Sequence, residues 1–148
     1  VKLDLATHKE AYNSLLKKIG QKSKIVHLSQ DFGQLDLLLA LDAIDRKITV
    51  ALTDPDNAVV LKHNFLTRHY SKIEIADTIE QALSTAPDVL IIDTLLETSQ
   101  LTPLIGNEVD LLILLKDAQQ MELAPLTALG FISSVQNDNF RLLKKIRS

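Results

Sequence analysis

Short apolar runs alternate with helical patterns along nearly the whole chain. Five runs have the length and composition of strands: KIVHL at 24–28, ITVAL at 48–52, KIEIA at 72–76, DVLII at 88–92 and DLLILL at 110–115. The last two carry four and five apolar residues in succession after an aspartate, which is typical of central parallel strands covered on both faces. Parallel strands need crossover connections, so the alternation predicts right-handed β-α-β units in a doubly wound α/β sheet.

The segments between these runs predict helices, and the end of the chain predicts a hairpin. Thr7 and Glu10 stand in capping-box positions at the start of the first helix, and Gly20 follows its end. A stretch with Pro103 and Gly106 is expected to be irregular or weakly helical. Helices are expected over 7–19, 34–44, 57–70, 78–85 and 122–129, and antiparallel strands over 131–136 and 139–146.

Composition places the chain among globular proteins. Its 148 residues predict one domain, with an N-terminal helix in 1–22, an alternating core in 24–129 and a hairpin in 131–147. The net charge of -3 gives no footprint for nucleic acid, and cysteine is absent, which excludes disulfides and thiolate chemistry. No apolar stretch approaches the roughly 18 residues of a membrane span. We expect a cytoplasmic protein that binds neither membrane nor nucleic acid.

The histidines do not predict a metal site. His8, His63 and His69 show no i, i+4 pair and no H-E-x-x-H pattern. His27 lies inside an apolar strand, where a histidine is more often a hydrogen-bonded core residue than a ligand.

The order of elements resembles the class I S-adenosylmethionine-dependent methyltransferases from about residue 7 to 147. In that family the first strand ends in an acidic residue, and a G-x-G-x-G loop follows it. Here the segment is IVHLSQDFGQLDLLLAL: His27 holds the acidic position, Ser29 and Asp31 replace the first two glycines, and Gly33 is the third. The resemblance implies a mostly parallel sheet of about seven strands, in the order 3-2-1-4-5-7-6, with helices on both faces.

The same resemblance assigns candidate site residues. Asp54, after the second strand, holds the position that binds the ribose hydroxyls of S-adenosylmethionine, and Asp77 holds an adenine-contacting position. Gly33 and Asp31 belong to the cofactor loop. Asp93 ends the fourth strand at the catalytic or substrate-facing position. If the domain is active, the reaction is methyl transfer to an acceptor that is small or presented by a partner protein.

The altered loop predicts weakened or lost cofactor binding. Glycines let such a loop approach its ligand closely, and Ser29 and Asp31 return side chains to that space. Asp31 also places a negative charge near the expected carboxylate end of the cofactor. Asp31 and Asp77 have a second explanation, as N-caps of the helices that follow them.

Two alternatives come from other functional classes. From Ile48 onward the chain also resembles a response-regulator receiver domain, with Asp93 as its phosphorylated aspartate. Pro55 then replaces an acid of the Mg²⁺ site, Ser134 stands near the expected lysine, and the first 45 residues have no role. Strand order separates the two, because 48–52 and 88–92 are direct neighbours in a receiver but flank 25–28 in a methyltransferase-like sheet.

The second alternative is a non-catalytic interaction module on the methyltransferase-like fold. Its partner would contact the leucine-rich helix after the first strand and the apolar stretch 101–105. An exposed apolar patch at these residues would favour it.

Overall fold

The computed structural model describes residues 13–20, 23–29, 34–43, 45–52, 73–76, 78–137 and 139–146. The strands are β1 Lys24–Ser29, β2 Lys47–Leu52, β3 Glu74–Ala76, β4 Val89–Ile92, β5 Leu111–Leu115, β6 Phe131–Gln136 and β7 Phe140–Lys145. Residues 13–16 are helical. The helices that follow are α1 Gln34–Asp42, α2 Ile79–Leu83, α3 Thr98–Leu101 and α4 Ala124–Ala128, with 3-10 turns at Thr102–Leu104 and Lys116–Gln120. The helix expected over 57–70 lies outside the described residues.

All seven strands form one sheet in the order β3-β2-β1-β4-β5-β7-β6. The first five are parallel, and β7 inserts antiparallel between β5 and β6. The expected fold class and strand order are therefore confirmed. Because β1 pairs with both β2 and β4, the receiver interpretation, which makes β2 and β4 neighbours, is wrong.

Two apolar clusters cover the two faces of the sheet. On the first face, Leu15 and Leu35 pack with Ile25 of β1. On the second face, residues of α2, α3 and α4 pack with Val26 and its neighbours. Successive side chains of a strand point to opposite faces, so β1 serves both clusters, and every residue of β4 and β5 is buried as their unbroken apolar sequence predicts.

Arg46 ties the helical segments of the first face to the sheet. Its buried guanidinium donates to the carbonyls of Gly20 (3.0 Å), Leu39 (3.0 Å) and Ile19 (2.7 Å). It also pairs with the carboxylate of Asp42 at 2.9 Å. These carbonyls lie in the last turns of helical segments, where the helix dipole favours a positive charge. Sequence analysis did not single out this residue.

The segment after β5 differs from expectation. Instead of one helix over 122–129, Lys116–Gln120 forms a 3-10 turn and α4 begins only at Ala124. Pro125 lies in the first turn of α4. Backbone N–H groups there have no acceptor within the helix, so proline, which lacks an N–H, costs no hydrogen bond.

The exposed apolar patch that would favour an interaction module is absent along 101–105. Leu101 is buried, and the partly buried Leu104 and Ile105 pack against the second cluster. Leu35 and Leu39 of α1 are likewise buried in the first cluster. The exposed large apolar side chains among the described residues lie elsewhere, at Leu95, Leu129, Ile132 and Ile146.

Within the described ranges, no helix has both the length and the apolar character that crossing a membrane requires.

Candidate functional site

The candidate site lies where β1 and β4 end, side by side. The connection after β1 runs to α1 on the first face, and the one after β4 runs to α3 on the second. Adjacent parallel strands whose connections leave to opposite faces open a crevice at their carboxyl ends, which is where α/β folds bind ligands.

Local geometry brings four polar side chains together at this point. Along β1, alternation places His27 and Ser29 on the same face as Ile25. His27 stands opposite Ile91 of β4, and Asp93 follows two residues later on the same face. The N–H of Asp93 donates to the carbonyl of Leu28 at 3.1 Å, which extends the pairing of the strands to this residue.

His27 is held between two carboxylates. Its Nδ1 donates to both carboxylate oxygens of Asp36, at 2.9 and 3.0 Å, and its Nε2 donates to Oδ2 of Asp93 at 2.7 Å. The Ser29 hydroxyl donates to the same Oδ2 at 3.0 Å. His27 and Asp36 are 0% exposed and Asp93 is 5% exposed, so this cluster of four residues is closed to water. We call it the His27 cluster.

The surroundings of His27 favour the imidazolium form. Burial alone lowers the pKa of His27, but the nearby carboxylates and their hydrogen bonds outweigh it, so the pKa lies well above its ordinary value of 6.5. With both ring nitrogens protonated, each nitrogen is a donor, and each has a carboxylate acceptor. The His27 cluster therefore carries one positive and two negative charges when both aspartates are ionised.

This arrangement limits the chemistry of His27. Both ring nitrogens are occupied, so the imidazole has no lone pair to act as a base toward a ligand. What it does is link α1, β1 and the end of β4 through charge-assisted hydrogen bonds. This geometry agrees with the expectation that His27 is a hydrogen-bonded core residue. Both of its partners are carboxylates, which the sequence analysis did not identify.

Of the five residues predicted for the site, the structure describes Asp93. Its carboxylate joins the His27 cluster, and its role as a catalytic group stays a prediction. Gly33, Asp31, Asp54 and Asp77 lie outside the described residues.

Two contacts were missed: Asp36 as a partner of His27, and Ser29 as a donor to Asp93. The available signal was Asp36 among the leucines of the first turn of α1, together with a single histidine inside an apolar strand. Buried ionisable residues are rare unless they are paired, so each of these residues predicts the other.

A cleft of about 360 Å³ lies near the carboxyl ends of the parallel strands, on the second face of the sheet. It is bounded by the start of α2 and by the segment from Leu96 to Leu104, with Glu80 and Glu97 among its lining residues. No member of the His27 cluster lines it. In the part of the chain that the structure describes, no three His, Asp or Glu side chains are arranged to hold a metal ion.

Several solved structures share this architecture, and methyltransferases are among them. The chain superposes on precorrin-6y C5,15-methyltransferase from Geobacter metallireducens with a TM-score of 0.73 and 10% identity, over 100% of this chain and 93% of that one. It has the class I methyltransferase fold. TrmK of M. capricolum, in complex with S-adenosylhomocysteine, gives a TM-score of 0.66 at 12% identity, over 90% of this chain and 66% of that one.

Coclaurine N-methyltransferase, bound to N-methylheliamine and S-adenosylhomocysteine, gives a TM-score of 0.56 at 16% identity over 77% of this chain. The methyltransferase-like chain spans 66% of TrmK and 37% of the coclaurine enzyme, which is less than two thirds of each. No protein-family model matches the sequence, and no curated protein matches it. Function must therefore be argued from the site, since the fold hosts many activities.

Proposed function

We propose that this is a methyltransferase-like domain in which binding of S-adenosylmethionine is weakened or lost. The observation that carries the proposal is the double hydrogen bond to Oδ2 of Asp93, from Nε2 of His27 and from Oγ of Ser29. The carboxylate at the predicted catalytic position is satisfied by the chain itself.

Charge supports the same conclusion. Class I methyltransferases carry an acid at the end of the first strand, and this chain carries His27 there, in surroundings that favour its cationic form. The cofactor of the fold is itself a sulfonium cation with an ammonium group. A protonated histidine in place of the acid can neither attract that cation nor accept its hydrogen bonds, so one favourable contact with the ligand is lost.

Burial supports it as well. A ligand that took Oδ2 of Asp93 from His27 would leave a buried charge without its partner, and breaking such a pair costs about 3–5 kcal/mol. A penalty of that size lowers affinity by roughly two to four powers of ten. We derive no methyl-transfer step through these residues.

The alternative is an active methyltransferase. The S-adenosylhomocysteine in two similar structures favours it. In that case Asp93 assists the acceptor, Asp54 and Asp77 hold the ribose and adenine, and Gly33 and Asp31 form the loop. The acceptor would be small or presented by a partner.

Calorimetric titration of the purified protein with S-adenosylhomocysteine separates the two functions. We expect no binding heat with ligand up to the order of millimolar, a Kd that corresponds to only about −4 kcal/mol. Micromolar binding that Asp54→Ala abolishes and the distant Ser133→Ala preserves would refute the proposal and support the enzyme.

A further inference from the structure

The cleft on the second face of the sheet lies outside the His27 cluster and has the size of a ligand site. It is bounded by the start of α2 and by the segment from Leu96 to Leu104, which contains α3. We name it the α2–α3 cleft. Its volume of about 360 Å³ falls within the range of about 300–1,000 Å³ that small-molecule sites occupy.

Half of the described side chains that line the α2–α3 cleft are hydrocarbon, and they belong to the core. Leu101 is 3% exposed and lies within the second cluster. Ile79, Leu96 and Leu104 are partly buried against the same cluster. Packing holds these side chains in place, so the apolar lining exists before a ligand arrives. Apolar groups of a ligand that cover it leave water, which favours binding.

Two glutamates give the cleft its charge. Glu80 lies in the first turn of α2, and Glu97 directly precedes the first residue of α3. Among the described residues that line the cleft, none is basic. The ion pairs formed between described residues involve neither glutamate. The cleft therefore presents two negative charges for which the described residues supply no counterion.

Neither carboxylate caps its helix. At the N-cap position of α3, Glu97 makes no capping hydrogen bond, and its Oε1 accepts from the hydroxyl of Ser99 at 3.2 Å. The cap of α2 is Thr78, whose Oγ1 accepts from the N–H of Gln81 at 3.0 Å. An ionised carboxylate has about four acceptor positions, so both Glu80 and Glu97 can accept hydrogen bonds from a ligand.

This combination of charge and apolar lining selects an organic cation over an inorganic one. Mg²⁺ and Ca²⁺ take six or more oxygen ligands, which a lining that is half hydrocarbon does not supply. An anion would face two like charges without a basic side chain to hold it. A protonated amine on an alkyl or aryl group matches both parts of the lining, because its ammonium pairs with carboxylates and its hydrocarbon covers the leucines.

We propose that the α2–α3 cleft binds a small amphipathic amine. The ammonium group donates hydrogen bonds to the carboxylates of Glu80 and Glu97, and the hydrocarbon body lies on Ile79, Leu96 and Leu104. The inference goes beyond the proposed function, because it does not depend on S-adenosylmethionine and no member of the His27 cluster lines the cleft.

Amide NMR spectra recorded during titration with phenethylamine at pH 7 and constant ionic strength test the proposal. Both glutamates are exposed to water, so we expect weak binding, with a Kd on the order of 1 mM. The shifts should saturate and concentrate at the residues that line the cleft. Phenethyl alcohol, which has the same body without the charge, should bind at least about fivefold more weakly. Absence of saturable shifts at the cleft, or equal affinity for the alcohol, overturns the proposal.

Substitutions of the two glutamates test the contacts that it names. Glu80→Gln and Glu97→Gln should each weaken phenethylamine binding about two- to fivefold, since each removes one exposed charge pair. Glu108→Gln is the matched control, because Glu108 is exposed and does not line the cleft. Equal affinity in all three variants refutes the proposed role of the carboxylates. Calorimetry with S-adenosylhomocysteine is a separate measurement, so failure of one proposal leaves the other standing.

Discussion

Replacing His27 with glutamine removes the cation from a buried group of charges. Glutamine keeps a hydrogen-bond donor but carries no charge, so the carboxylates of Asp36 and Asp93 remain buried together without a counterion. Both side chains are at most 1% exposed, which leaves little water to screen them. Removing one partner of a buried ion pair costs about 3–5 kcal/mol, and we expect His27→Gln to destabilise the fold at pH 7 by that amount.

The His27 cluster also determines whether the free energy of unfolding rises or falls with pH. The pKa of His27 is raised in the folded state, so between 6.5 and that higher value the folded state holds a proton that the unfolded state has lost. The stabilisation from His27 is thus complete below pH 6.5 and is lost as the pH rises through the folded-state pKa. In this window the free energy of unfolding should fall by about 1.4 kcal/mol per pH unit.

Urea denaturation at pH 7, 8 and 9 measures both effects. The wild type should lose stability across this range, and His27→Gln, though less stable overall, should show a shallower slope. Ser29→Ala is the control: it removes one hydrogen bond to the Asp93 carboxylate and should cost about 1.5–3 kcal/mol while keeping the wild-type slope.

A wild-type slope no steeper than that of His27→Gln would mean that folded His27 is neutral, and would refute the reasoning. If His27→Gln fails to fold, the comparison rests on the slopes of the wild type and Ser29→Ala. A wild-type stability that stays flat or rises from pH 7 to 9 would then be the refuting result.

Two further predictions concern the buried side chains of Asp36 and Arg46. Asp36→Asn should lower the pKa of His27, because one of the two carboxylates that favour the imidazolium is replaced by a neutral amide. NMR titration of the imidazole measures this pKa, and an unchanged titration midpoint would contradict the charge assignment. Arg46→Met should cost about 3–5 kcal/mol in thermal or urea unfolding, since the carbonyls that Arg46 holds lose a buried charged donor and Asp42 loses its cation. The neighbouring exposed Lys47→Met should change stability by less than about 0.5 kcal/mol.

The fold could be predicted from the sequence because its evidence is local. Uninterrupted apolar runs such as Leu111–Leu115 identify strands buried on both faces without reference to the rest of the chain. The order of the strands came from the resemblance to methyltransferases, and their pairing confirmed it. Where local signals were weak, as between β5 and β6, the expected helix was too long and the 3-10 turn was missed.

The contacts of the candidate site join residues that are distant in sequence. His27 and Asp93 are 66 positions apart, and only the pairing of β1 with β4 brings them within 2.7 Å.

The sequence by itself determined which segments are buried, since burial follows from the apolar residues that each segment carries. The tertiary structure decided which buried charges neutralise one another, because electrostatic energy depends on the distance between atoms, and folding alone sets that distance.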